Sequence, residues 1–348
     1  MKKPKAIDLF SGCGGLTLGL KLAGFRVIGA VEIDPLAVET YYKNHKRVVI
    51  WNKDIKKIPA VEVMRKLKIK PGQIDLLAGC PPCQGFSTMT TLNGRIGHDE
   101  RNELIFEFLR FVKVLRPKTV MMENVPKLAK NSRFKKLCDS LEKLGYILNY
   151  AVLDAAKYGV PQRRKRLILV AGKGKEIRFG RKTHNGPTVR KAFACLSKWR
   201  SKTDALHKLK GKKRNADVME RIRAIPQDGG SRLDAGPEHQ LPCHSRGRCN
   251  GFKDVYGRMA WNDVSPTITG GCFNPSKGRF LHPTKNRAIS MREAALLQSF
   301  PPDYLFPTNR GKSPVAQMIG NALPPEFIRR HALKIHRRIK LLKSEGKN

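Results

Sequence analysis

Between Lys5 and Gly172 the chain alternates short apolar runs with amphipathic stretches of helical period, and no other feature restricts the fold as much. The runs "KAIDLF", "RVIGAVEID", "QIDLLAG", "TVMMEN", "YILNYAVLD" and "RLILVAG" have strand length. Between them "LTLGLKLAG", "PLAVETYYKNH", "ELIFEFLRFVKVL" and "RFKKLCDSLEKLG" read as helices; the first closes at Gly24 and the third stops before Pro117. Strand and helix in repeated succession predict an α/β protein with a doubly wound, mostly parallel sheet of Rossmann-like type.

The rhythm breaks at Gly172. From there to about Gly257 the sequence is irregular and rich in Gly, Pro, Lys and Arg, which predicts a separate, smaller lobe. Order returns with "ISMREAALLQSFPP", where Ser290 and Glu293 have capping-box spacing and Pro301 is a stop. The final stretch "PEFIRRHALKIHRRIKLLK" alternates apolar and basic positions as one more helix, its basic side either solvated or in nonspecific contact with a polyanion.

Charge narrows the partner. Lys and Arg number 69 against 28 Asp and Glu, a net charge of +41. Solubility of a small domain asks for a net charge of only about 2–8. An excess of this size implies a polyanion, and nucleic acid is favoured over a membrane because no long basic amphipathic helix stands apart at either end. The apolar runs are too short to cross a bilayer, and the start "MKKPKAIDLFSGCGG" has Asp8 and glycines where an export signal needs an apolar core. The chain is therefore expected to stay in the cytoplasm. Its eight cysteines read as reduced thiols, most of them small buried residues.

The glycine turn "DLFSGCGGL" follows the first strand and opens the first helix, where sheets of this kind hold nucleotides. The dinucleotide fingerprint wants a third glycine at position 17, where Thr17 stands, and no G-x-x-x-x-G-K-[ST] run occurs. Phosphate cradling is thus not favoured. Glu32, ending the second strand, suits ribose hydroxyls, and Asp54, ending the next, suits an adenine amino group. S-adenosylmethionine (SAM) is an adenosine-type ligand without a phosphate, and its sulfonium tolerates nearby carboxylates.

"GCPPCQGFS" contains C-x-x-C, which alone admits a redox dithiol, half a zinc site or a nucleophile beside a bystander. Two other stretches bear on the choice. "MMENVP" places Glu123 on the same carboxyl edge of the sheet, and "VPQRRKRL" places Gln162, Arg164 and Arg166 just before the next strand. A redox dithiol has no use for an acid and an arginine fork, whereas cytosine chemistry does. Carbon 5 of cytosine is a weak nucleophile until a thiolate adds at carbon 6; an acid at N3 and a guanidinium at O2 then stabilise the charge that builds on the ring. "PCHSRGRC" offers Cys243, His244 and Cys249, but C-x₅-C is not a usual zinc spacing, so no metal is expected.

Taken in order, "DLFSGCGG", "GCPPCQGFS", "DERNELIFEF", "MENV", "PQRRKR", "SPTITGG", "REAALLQSFP" and "IGNALPPEF" make the chain resemble the bacterial DNA (cytosine-5) methyltransferases over almost its whole length. The resemblance implies that Cys83 is the nucleophile, that Glu123 meets N3, and that Arg164 and Arg166 grip the target base. It implies SAM contacts at Phe10, Gly12, Gly14, Gly15, Glu32, Ile33, Asp54, Ile55, Pro82, Leu104 and Asn321, with S-adenosylhomocysteine as product. Cys80 has no role in this scheme and reads as a small residue ending its strand. The resemblance further implies a discontinuous SAM-binding catalytic domain, 1–172 plus 322–348. A smaller lobe, 173–321, would include a DNA target-recognition region at about 173–257. Arg and Lys of that region are expected mostly in solvent or on phosphates. A monomer acting on double-stranded DNA, associated with the nucleoid and paired with a cognate restriction endonuclease, completes the expectation. Two rivals share the fold: a tRNA cytosine-5 methyltransferase, and a DNA-binding relative without catalysis.

Overall fold

A computed structural model describes residues 2–82, 100–183, 186–198, 203–209, 213–242 and 254–345. The chain divides into two compact units: residues 1–158, 165–183 and 323–348, and residues 159–164 and 184–322.

The first unit is built on a seven-stranded sheet in the order β3-β2-β1-β4-β5-β7-β6. Its strands are β1 (Lys5–Leu9), β2 (Arg26–Glu32), β3 (Val49–Asn52), β4 (Leu76–Gly79), β5 (Thr119–Asn124), β6 (Tyr146–Asp154) and β7 (Lys165–Lys173). The first five pair in parallel, while β7 runs antiparallel to both β5 and β6. All six residues of β5 are buried, as a strand covered on both faces must be; β6, at the edge, leaves every second or third side chain exposed.

Helices α1 (Gly15–Leu22), α2 (Pro35–Asn44), α3 (Ala60–Leu67), α4 (Leu104–Leu115) and α5 (Ser132–Lys143) connect the strands. Local chemistry sets their starts: Asp34 accepts from Leu36 N–H with Pro35 in the first turn, and Asn131 accepts from Arg133 N–H. One apolar core joins β1, β4 and β5 to α3, α4 and α5.

The last helix, Pro325–Glu345, packs on α1 and so belongs to the first unit. Gly19 makes that approach possible, since a Cβ there would lie 2.6 Å from both Ile328 Cβ and Pro325 O. On the same helix Phe327, Ile328, Ala332, Ile335 and Ile339 are buried, and Arg329 and Arg330 both pair with Glu326. Part of its basic face is thus neutralised within the helix.

The second unit has no sheet among its described residues, only isolated bridges such as Gln162 with Ser265 and Arg258 with Leu281. Short helices, including Ala216–Ala224, Met291–Leu297 and Lys312–Asn321, are joined by long irregular stretches. Ser290 and Glu293 form the expected capping box. Several of its arginines are not in solvent: Arg258, Arg292 and Arg232 are buried and bond to carbonyl or amide oxygens or to Asp204.

Candidate active site

The carboxyl ends of β1, β2, β4 and β5 and the neighbouring end of β7 carry the residues singled out in the sequence. After β1 the backbone turns through left-handed conformations at Phe10 (φ 60°), Gly12 (φ 53°) and Gly14 (φ 97°). For a bulky residue such as Phe10 that conformation costs about 1–2 kcal/mol, so the surroundings must enforce it. Ser11 N–H bonds Val31 O at 3.0 Å, and Gly12 N–H bonds Glu32 Oε2 at 2.7 Å. Glu32 Oε1 accepts from Ile33 and Asp34 N–H, each at 2.9 Å. Burial raises the Glu32 carboxyl above its ordinary value, and these three N–H groups oppose the rise. Asp54 Oδ1 accepts from Lys56 N–H at 3.0 Å, which leaves Oδ2 open to a ligand donor. Ile33 is 62% exposed, an apolar surface next to Glu32, whereas Ile55 is buried in the core.

Behind the turn lies a polar network that sequence reasoning missed. Asp8 is fully buried; its Oδ2 accepts from Thr17 Oγ1 at 2.7 Å, and Thr17 Oγ1 lies 2.8 Å from Tyr41 Oη. Asp8 Oδ1 has no hydrogen-bond partner among the described residues, and burial pushes the carboxyl up to about 7. His45 Nε2 lies 3.2 Å from Gly14 O, and its Nδ1 lies 3.1 Å from Lys21 Nζ. Burial first and Lys21 second push His45 down to about 4, which fits a neutral ring donating to Gly14 O and accepting from Lys21. Thr17, the residue that broke the dinucleotide fingerprint, is therefore the link between β1 and α2. The one sequence signal was that a hydroxyl replaced the expected glycine.

On β5, Glu123 is buried and its Oε1 lies 2.9 Å from Arg166 Nε on β7. Arg166 Nη1 also donates to the carbonyl of Lys165 at 2.7 Å. Cys80, just past β4, hydrogen-bonds the Glu123 side chain; burial, then the charges of Glu123 and Asp8, hold its thiol well above the ordinary range. Cys80 thus stays protonated and is a poor nucleophile, yet it faces the acid, a contact the sequence did not suggest. Asn124 Nδ2 donates to Pro81 O at 2.9 Å and ties β5 to the proline pair. Pro82 is half-buried, Leu104 opens α4 half-buried against the core, and Cys83 lies outside the described residues.

The remaining predicted residues belong to the second unit. Arg164 is buried, and its Nη1 and Nη2 donate to Ile268 O at 2.9 Å and Gly320 O at 2.8 Å. Gln162 donates to Gln298 Oε1 and accepts from Ile268 N–H. Asn321 ends the helix Lys312–Asn321, where its Oδ1 accepts from Gln317 Nε2 at 3.1 Å. The arginine pair of the Q-x-R-x-R run thus separates: Arg166 meets Glu123 in the first unit, while Arg164 holds backbone in the second. Among the described residues no cluster of His, Cys, Asp or Glu could hold a metal ion; Cys243, His244 and Cys249 fall outside them.

A mixed sheet with a glycine turn after its first strand, and an acid facing a guanidinium on its carboxyl edge, has the features of a methyltransferase that acts on a base. Residues 4–337 match the profile of the C-5 cytosine-specific DNA methylases, and the chain belongs to that family. It is 38% identical over 334 residues to the Type II methylase M.HgiDII of Herpetosiphon aurantiacus, covering 91% of each chain. It is 33% identical to the Type II methyltransferase M1.HphI of Haemophilus parahaemolyticus, over 92% of this chain and 83% of that one. Among solved structures, a DNA modification methyltransferase encoded within an E. coli prophage aligns with TM-score 0.69 and 27% identity, over 97% and 99% of the two chains. Spodoptera frugiperda DNMT2 shares the fold, with TM-score 0.62 at 18% identity over 96% and 99%. The chain is a SAM-dependent DNA (cytosine-5) methyltransferase by family.

Proposed function

We propose that this chain methylates carbon 5 of a cytosine flipped out of a short specific duplex sequence, through a covalent bond from Cys83 to carbon 6. The single observation that carries the reading is the buried Glu123–Arg166 pair at the carboxyl edge, flanked by the Cys80 thiol.

The residues around the glycine turn fit SAM. Glu32 Oε2, which accepts one backbone N–H, has a lone pair left for a ribose hydroxyl, Asp54 Oδ2 is an acceptor for an adenine amino group, and Ile33 gives an apolar face for the ring. When bound, SAM supplies an electrophilic methyl group on its sulfonium and leaves as S-adenosylhomocysteine. The Cys83 thiolate adds to carbon 6, and the ring electrons shift so that carbon 5 becomes nucleophilic. In its protonated form Glu123 gives a proton to N3, which returns to it as the product is eliminated, and Arg166 meets the negative charge that gathers on the ring. After methyl transfer a base takes the carbon 5 proton, and elimination breaks the sulfur–carbon 6 bond to release Cys83. Arg164 acts at one remove, by fixing the backbone at Ile268 and Gly320. Thr17, through Asp8 and Tyr41, positions the turn that holds the methyl donor.

Extruding the base costs a few kcal/mol, which phosphate contacts from a chain of net charge +41 offset. The second unit is proposed to read the sequence. The names of the bacterial relatives support a Type II modification role; a cognate endonuclease, a monomeric state and work on the nucleoid in the cytoplasm are part of the proposal. No helix among the described residues is long and apolar enough to cross a membrane.

The test is covalent capture. A duplex with 5-fluorocytosine at the target, incubated with SAM and the whole chain, is expected to give a complex stable to denaturation, linked at position 83. Cys80→Ser should still be captured and Cys83→Ser should not. Capture that persists in Cys83→Ser would defeat the assignment of the nucleophile.

A further inference from the structure

The first unit contains a cavity of about 240 Å³ that the scheme above does not use, around the end of β6 and the start of β7. We propose that Lys157, Lys165 and Lys182, which line it, form a binding subsite for a backbone phosphate of the DNA. This subsite rests on the reading of the chain as acting on duplex DNA.

Three separate segments bring the lysines together. Lys157 lies in the 3-10 turn Ala155–Tyr158, Lys165 opens β7 opposite Asp154 of β6, and Lys182 lies in the segment after β7. Thr183 N–H donates to Lys157 O at 2.8 Å, so the segments bearing Lys157 and Lys182 are joined by backbone. Tyr158 anchors the turn from below, buried against Phe327 and His331 with ring centroids 5.4 and 4.7 Å away. The frame is therefore fixed while the ammonium groups remain exposed.

Charge then selects the ligand. Among the described residues Asp154 is the one carboxylate lining the cavity, and its Oδ1 accepts from Ala156 N–H at 3.2 Å. None of the three lysines is ion-paired with a described residue, so three like charges share one concavity with low-dielectric walls. Such a site focuses positive potential and draws in anions. A volume of 240 Å³ is several times the ~30 Å³ share of one water, room for a phosphate with part of its hydration.

Position ties the cavity to the reaction. Because β7 runs antiparallel to β5, the Lys165 end of β7 lies at the carboxyl edge, where β5 ends in Glu123 and Asn124. Arg166 is the next residue, and its guanidinium holds the Lys165 carbonyl. A phosphate seated here would lie next to the strand that carries the Glu123 partner, as a nucleotide flanking the flipped base would require.

The experiment uses the whole chain and a labelled duplex, read by fluorescence anisotropy across a salt series. Lys157→Ala/Lys182→Ala is compared with wild type and with Lys2→Ala/Lys3→Ala, which removes two charges ahead of β1. Loss of one phosphate contact should reduce the log–log salt slope by about 0.9 and weaken binding about three- to tenfold, with SAM affinity unchanged. The Lys2/Lys3 control should retain the wild-type slope. In a second arm, inorganic phosphate is titrated at constant ionic strength while thermal melting is followed. Equal duplex affinity and slope in wild type and Lys157→Ala/Lys182→Ala would overturn the subsite while leaving the DNA reading intact. If inorganic phosphate then stabilised only the wild type, the cavity would be one for free phosphate instead. A wild-type chain that bound no duplex would fail the DNA reading itself and take the subsite with it.

Discussion

The two units satisfy the same physical requirement by different means. In the first, seven strands absorb the backbone N–H and C=O groups of the interior, and buried carboxylates sit at the strand ends: Glu123 meets Arg166 at the carboxyl edge, and Asp75 meets Lys118 at the opposite one. In the second, where no sheet is described, buried guanidinium groups serve the carbonyls. Arg258 is 1% exposed and uses all five donors, on Ile222 O, Ile225 O, His282 O, Lys285 O and Asn286 Oδ1. Arg279 Nη1 bonds Gly229 O and Gly230 O, and Arg164 bonds Ile268 O and Gly320 O. Part of the positive charge is thus internal framework, and only the remainder is available to DNA.

The sharpest way to break this comparison is Arg258→Met. It keeps the volume but strands several buried carbonyls, and should cost about 3–5 kcal/mol, lowering the melting temperature by about 4–7 °C. A loss below 1 kcal/mol in a urea titration would show that arginine does not stand in for a sheet. Next is Glu123→Gln, which tests whether the buried charge of the first unit serves catalysis. Single-turnover methyl transfer should slow about 10²- to 10³-fold, with the melting temperature close to wild type. A purely structural Glu123 would show the reverse.

Thr17→Val addresses the network behind the turn. It removes the hydroxyl bond to Asp8 and leaves only the Thr17 backbone contact, and should cost about 1–3 kcal/mol and raise the KM for SAM with little change in kcat. Thr17→Ser should restore the KM, because the hydroxyl and not the methyl makes the link. A fall in kcat at constant KM would remove Thr17 from cofactor positioning.

Asp8 gives an effect of pH. Its folded value of about 7 exceeds the ~3.9 of an unfolded Asp, so the native state holds the extra proton between those limits. The contribution to stability is complete below about pH 4 and is lost as pH rises through about 7. His331, pushed down to about 3 by burial, works in the opposite sense, losing stability as pH falls below about 6.5. The comparison with Asp8→Asn cancels the histidine term. The melting temperature of wild type relative to Asp8→Asn should decline from pH 5 to pH 8, and a flat difference would mean that Asp8 does not titrate in that range.

The fold was legible because β1, β2, β4 and β5 and most of the helices between them repeat a pattern whose period the sequence displays directly; the short helix α3 was not read from it. The places of Glu32, Asp54 and Glu123 were legible for the same reason, since each falls at or just past the end of a strand. Thr17 was visible only as a departure, because its partners Asp8 and Tyr41 lie 9 and 24 residues away and meet only when α2 folds against β1. Cys80 read as a bystander because its contact with Glu123 crosses from β4 to β5. The internal arginines were the hardest to read. An arginine in an irregular basic stretch looks like a DNA contact, and nothing local distinguishes Arg258, whose partners lie 24 to 36 residues away.

One measurement tests the central claim most directly: bisulfite sequencing of DNA from cells expressing the wild-type chain or Glu123→Gln. Protection of one cytosine within a single short sequence is expected with the wild type, falling to background with Glu123→Gln. Equal protection with both, or none with the wild type, would contradict the account.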